Sequence, residues 1–221
     1  MVLEISQFVY NKLILKEEND MSKRVSRLMA IAAAGLLAAP LATRAAPTDV
    51  TDRGITSVKL EPSFLSALGS LGVRPGTVEP GRIVARNGDT LAVFPITDGA
   101  LDLGTVKGEV DHAGGLSLKA GSTVVDLTAF AIEIYPNAKP VLTGLVTVDG
   151  NFVGRLPLFN LSLARASVAK YDDRLVVKEV AVTLNPAAAS ALSNVFHASV
   201  PAGLVIGTAT VRSFLVASLG N

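Results

Sequence analysis

From Val106 to His112 the chain alternates without a break. Val106, Gly108, Val110 and His112 fall on one face, and Lys107, Glu109 and Asp111 on the other. A repeat of two is the signature of a β-strand with one buried side. Arg174–Leu184 repeats it, with Val176, Val180, Val182 and Leu184 on the apolar face. Two such strands need further strands beside them, because an isolated pair is marginal in water. Candidates rich in Val, Ile, Thr and Phe follow at Leu91–Thr97, Leu116–Lys119, Thr123–Tyr135, Val141–Val148, Phe152–Leu158, Leu161–Lys170 and Leu204–Val216. Asn87-Gly88 and Asp149-Gly150-Asn151 supply residues that tolerate positive φ, as tight hairpins require. Tyr171–Asp173 and Pro201–Gly203 read as looser turns.

Two segments switch to the helical period. At 62–71, Pro62 suits a first turn, and Phe64, Leu68 and Leu71 recur at helical spacing. At 186–196, Asn185 caps, Pro186 opens the first turn, and Ala189, Leu192 and Phe196 form a stripe. The fold class expected is all-β: a single antiparallel β-sandwich or partly open barrel with two short peripheral helices.

The one long apolar run is Leu28–Ala42, preceded by Met21 and the basic residues Lys23, Arg24 and Arg27. This order predicts a secretory signal peptide over 21–45. Thr43-Arg44-Ala45 places small residues at −3 and −1, so cleavage is expected after Ala45. The run falls short of the roughly 18 residues expected of a membrane span. Residues 1–20 read as a mis-annotated leader, with Met21 as the start. That leaves 46–221 as one β domain, secreted and extracellular, with no membrane anchor. Removing residues 1–45 takes six of the 20 Lys and Arg and four of the 19 Asp and Glu, for a net charge of −1. Such a balance gives no electrostatic case for nucleic acid.

The same 176 residues hold no Cys, Met or Trp. Disulfides, thiol nucleophiles and thiolate metal sites are thereby excluded. Side chains able to ligate a soft metal or haem iron reduce to His112, His197, Tyr135 and Tyr171. His112 ends its strand on the apolar face, and Gly114 and Gly115 follow, where a backbone or a flat ligand could approach closely. Two readings stay open: an axial iron ligand, or a core-edge histidine bonded to a neighbouring carbonyl. His197 reads as structural. Asp172-Asp173 read as solvated turn residues. Asp98 and Asp102 lack the spacing of a calcium loop. Arg82 and Arg86 share a strand face without the interleaved aromatics of a nucleic-acid platform. No Gly-x-Ser-x-Gly or His-Glu-x-x-His run is present, and enzyme activity is not expected.

The order of several short motifs resembles the HtaA-like (haem-transport-associated) domain of secreted and surface-displayed actinobacterial proteins. Phe94-Pro95-Ile96 resembles that family's Phe-Pro-Val strand. Gly108–Leu118 resembles its Gly-x-Val-x-Phe…His-x-Gly-x-Leu-x-Leu segment, and Phe196–Gly203 its Phe-x-x-x-Tyr-Pro-x-Gly stretch. The likeness spans about residues 58–214. It implies a haem site in which a tyrosine of the first helix ligates iron beside a loop histidine. The histidine maps onto His112, the tyrosine onto Ala67, and a later family tyrosine onto Val200. The hard anionic ligand for ferric iron is therefore missing. The resemblance implies a non-enzymatic ligand-binding module with a degenerate haem site, for haem through His112 alone or for another apolar small molecule. No cofactor is assigned with certainty. The alternative is an extracellular structural or interaction protein with no cofactor and a cell-surface protein partner.

Overall fold

The computed structural model describes residues 49–102, 107–135 and 138–216. The expected leader, signal peptide and cleavage point lie outside the described residues, as does Val106.

Twelve strands and two helices follow one another. They are β1 (Asp49–Leu60), α1 (Pro62–Ser70), β2 (Arg74–Val78), β3 (Arg82–Arg86), β4 (Asp89–Asp102), β5 (Lys107–His112), β6 (Gly115–Ala120) and β7 (Thr123–Ile134). Then come β8 (Val141–Val148), β9 (Asn151–Ser162), β10 (Ser167–Tyr171), β11 (Arg174–Leu184), α2 (Pro186–Phe196) and β12 (Val205–Val216). The all-β expectation holds, with both short helices in place. Every pairing is antiparallel. Eight strands run in the order β7-β5-β4-β1-β12-β11-β9-β8, and β8 pairs back onto β7. The ring is thus a closed barrel, which removes the edges that an open sheet would expose.

Four strands hang on this ring. β3 pairs β4, β10 pairs β11, and β6 with β2 extends from β7. The bend in β7 makes the extension. Its register slips between Thr128 and Ala131, and Ala129 sits at φ +47°. Before the slip β7 pairs β6; after it, β7 pairs β5. One strand therefore serves two surfaces, the barrel wall and a flared sheet beside it.

The structure differs from expectation in four places. Val176 lies on the outer face of β11 rather than with Val180, Val182 and Leu184, because a register shift between Val177 and Val180, with Glu179 at φ +59°, turns Leu175 and Val177 inward instead. β9 continues through residues 158–161 and the break comes at 163–166. Asn160 stays in the strand because its Oδ1 accepts from Asn185 Nδ2 at 2.8 Å. β1 is absent from the sequence reading because Asp52, Arg53 and Gly54 interrupt it and a register shift there changes its phase. β2 is absent because it contains Pro75 and Gly76; it lies at the end of the strand order, where proline is tolerated.

Candidate functional site

Alternation along the strands fills the interior with apolar side chains, and two cavities remain. The first lies inside the barrel. All eight ring strands line it, among them Thr56, Phe94, His112, Phe130, Leu175 and Val182, and its volume is about 100 Å³. The second lies between the flared sheet and the two helices, with about 120 Å³. Phe64, Ala67 and Leu68 of α1 and Leu192, Val195 and Phe196 of α2 form its roof. Strands β6 to β9 supply its floor through residues such as Leu118, Leu127, Val146 and Leu158.

Local chemistry fixes that roof. Pro62 opens α1, and Asn185 Oδ1 accepts from the Ala187 backbone N–H at 2.9 Å to cap α2. The apolar stripes of the two helices turn toward the sheet. α2 ends at His197, whose φ of 52° makes it the left-handed cap residue. His197 is exposed and lines neither cavity.

His112 lies in the barrel, only 5% exposed. Its Nε2 lies 2.7 Å from Thr56 Oγ1 on β1, and its Nδ1 lies 3.3 Å from the Phe130 carbonyl on β7. That carbonyl sits inside the register slip of β7. Nδ1–H donating to it, with Nε2 accepting from the threonine, makes one neutral tautomer satisfy both contacts. Burial holds the imidazole pKa down at about 4, against some upward pull from the backbone bond to Phe130. A neutral imidazole with both nitrogens engaged is a structural pin between β1, β5 and β7.

The glycines after it serve the backbone. A Cβ at Gly114, whose φ is +81°, would collide with Gly81, and one at Gly115 would collide with the Leu127 carbonyl. The first approach is by the turn between β2 and β3, the second by the neighbouring strand β7. Ala67 and Val200, the two positions onto which family tyrosines map, line the same cavity beneath the helices. His112 lines the other. The structure thus brings Ala67 and Val200 together and sets His112 apart from them.

The remaining candidates are at the surface. Tyr135 is exposed and donates to Glu133 Oε2 at 2.9 Å, and that bond raises its pKa. Tyr171 is exposed, as are Asp172 and Asp173. Asp98 Oδ1 accepts from the Gly99 N–H at 2.7 Å, while Asp102 is buried and has a partner. Arg82 and Arg86 are exposed on β3. Among the described residues, no group of three His, Asp or Glu could hold a metal ion. None of their helices is long and apolar enough to cross a membrane.

The lining of the helix-roofed cavity suits an apolar molecule. It offers no imidazole, phenolate or thiolate to iron and no guanidinium or ammonium to an acidic substituent. What sequence reasoning missed is Thr56, whose strand it did not recognise. The helical stripes it did recognise are the roof itself.

Neither protein-family models nor curated proteins give a sequence match. Solved structures do. The C-terminal domain of HtaA from Corynebacterium glutamicum superposes with a TM-score of 0.56 at 14% identity, covering 76% of this chain and 99% of that one. The haem-binding protein HtaB of the same organism gives 0.48 at 11% identity, covering 77% and 96%. A domain-swapped dimer of a variant of the HtaA domain gives 0.48 at 15%, covering 70% and 91%. With 99% of the HtaA C-terminal domain covered at a TM-score of 0.56, this chain shares the fold of that domain.

Proposed function

We propose that the chain is a secreted, non-enzymatic binding module whose ligand is an apolar small molecule held beneath α1 and α2. The carrying observation is the roofed cavity, lined by carbon from two short helices and a flared sheet. At about 120 Å³ it is near the size of apolar cavities that stay dry and accept benzene-sized molecules, roughly 150 Å³. A larger guest needs the roof to lift, since ligand sites usually span roughly 300–1,000 Å³. Haem is kept among the ligands to be tested, because the HtaA-like resemblance implies it. In this chain His112 is its candidate iron ligand, and His112 must leave both present partners to serve.

The test is a titration of the full chain with N-phenyl-1-naphthylamine, read by fluorescence, beside haemin, read by Soret absorbance. The naphthylamine signal should rise and saturate. Ala191→Phe, which fills the roofed cavity, should abolish it while the fold is retained. A saturating haemin spectrum that His112→Ala destroys would replace this reading with haem binding through the barrel histidine. No response to either probe leaves the scaffold with a protein partner as the function. Export with cleavage after Ala45 is part of the proposal. The mass of the protein in culture supernatant should correspond to a chain beginning at Ala46.

A further inference from the structure

A third concavity lies outside the barrel, on the outer face of β1, β12, β11 and β10, with a volume of about 920 Å³. Strand register builds it as two rows. Arg53 pairs Phe214, Phe214 pairs Arg174, and Arg174 pairs Tyr171, a continuous row across four strands. One row along, Ile55 pairs Arg212 and Arg212 pairs Val176. Directly opposed side chains stand about 5 Å apart, so each row is a contact surface.

The first row is ordered before any ligand arrives. The Arg53 guanidinium lies 5.6 Å and the Arg174 guanidinium 5.7 Å from the centroid of the Phe214 ring. Stacking on an aromatic face holds a planar guanidinium while leaving N–H groups at its edge free to donate. Asp52 lies 3.4 Å from Arg53 Nε and Asp173 lies 3.3 Å from Arg174 Nε. Arg212 is exposed and has no ion pair among the described residues. Apolar surface frames it: Ile55 is 40%, Phe214 41% and Tyr171 61% exposed.

We infer that this face binds a small organic anion, a carboxylate carried on a flat apolar body. The carboxylate sits at Arg212 with the edges of Arg53 and Arg174 beside it, and the body lies over Ile55, Phe214 and Tyr171. Charge decides against a polyanion. Three arginines share the concavity with Asp172 and Asp173, Asp52 adjoins it, and the chain carries a formal charge of only +1. A long anionic polymer would meet those carboxylates, whereas a single carboxylate centred on Arg212 stays among the three guanidiniums. The concavity lies within the roughly 300–1,000 Å³ typical of ligand sites. Guanidiniums already stacked on Phe214 reduce the ordering cost of binding. This site is independent of the roofed cavity.

The experiment titrates the full chain with 2-naphthoate and follows the arginine side-chain N–H resonances by NMR. Its arms are methyl 2-naphthoate, acetate, inorganic phosphate and heparin. The expected result is saturable binding of 2-naphthoate that shifts Arg53, Arg174 and Arg212. Arg212→Gln should weaken it about tenfold and Phe214→Leu several-fold. Ala191→Phe should leave it unchanged, which separates this site from the cavity under the helices. The inference is overturned if the neutral ester binds as well as the acid, if phosphate or heparin binds more tightly, or if Arg212→Gln binds like wild type.

Discussion

The barrel interior and the chamber under the helices have nearly the same volume, about 100 and 120 Å³, and both are walled by aliphatic and aromatic carbon. Their walls are built differently. The barrel is ringed by eight hydrogen-bonded strands and pinned across its width by Thr56, His112 and the Phe130 carbonyl. The chamber has a sheet for a floor and two helices of 9 and 11 residues for a roof. Helices that short are marginal on their own and hold their place by packing. Equal space inside a closed ring and beneath a packed roof does not have equal access. A guest can reach the chamber by displacing helices, but reaches the barrel only by breaking a ladder. This difference in walls, rather than in lining, is why the chamber is the better candidate site.

Truncating one large side chain in each region is the strongest way to break this comparison. Phe130 is 2% exposed and meets Phe94 edge-to-face at 5.1 Å. Phe130→Ala should cost about 3–5 kcal/mol, because a closed ring cannot collapse onto the gap. Leu192→Ala, in the half-buried roof, should cost about 1–2 kcal/mol, since the roof can settle. Urea melts of the two variants decide it. Equal losses would mean that the helices are as rigidly held as the barrel.

Acid should act on the barrel alone. Burial holds the His112 pKa at about 4 in the folded chain, against the ordinary histidine value of 6.5 that unfolding restores. Between these values the unfolded chain binds the extra proton, so stability is fully present above about pH 6.5 and falls as pH drops toward 4. The loss from this residue is roughly 3 kcal/mol. His112→Gln should lower stability at neutral pH and flatten that part of the pH profile. Denaturant midpoints of both proteins from pH 7 to pH 4 give the difference. Parallel profiles would show that His112 is not held neutral. Binding of N-phenyl-1-naphthylamine to the chamber should change little over the same range, because none of the chamber's lining residues titrates there.

Much of this contrast was legible in the sequence, and the reasons are specific. The end of β11 shows clean alternation because Val180, Val182 and Leu184 face the interior while residues between them are exposed or half-buried; the register shift before Val180 was not legible, and it puts Val176 outside and Leu175 and Val177 inside. The roof shows itself through Phe64, Leu68 and Leu71 and through Leu192 and Phe196, spaced as helices space them. Closure of the barrel was not legible, because it depends on β8 returning to β7, a pairing no local pattern records. The partners of His112 were hidden for a related reason. Thr56 lies 56 residues away on a strand whose phase a bulge shifts, and Phe130 lies in a slip in register. Sequence placed His112 on a buried face. Only the fold shows that its two nitrogens are spent there, and that Ala67 faces the other cavity.

The smallest effect concerns polar groups that the barrel buries without satisfying. Thr51 is fully buried and its Oγ1 has no hydrogen-bond partner; Ser213, 3% exposed, is in the same condition. Thr51 begins the barrel wall on β1, against Gly99 of β4, where a Cβ would come within 2.5 Å of the Thr51 hydroxyl. The chamber lining includes no polar side chain of this kind. An unsatisfied buried hydroxyl costs about 1–3 kcal/mol, while an apolar group of the same shape carries no such penalty. Thr51→Val keeps the branched shape and removes the orphan oxygen, so it should stabilise by about 1 kcal/mol, or about 3 °C in Tm for a domain of this size. Ser213→Ala should act in the same direction by less, because it also removes packing atoms. Differential scanning calorimetry at pH 7, where His112 is neutral in both states, isolates the effect. A fall in Tm for Thr51→Val would mean that the hydroxyl has found a water inside the wall, and that the barrel interior is wetter than the chamber beside it.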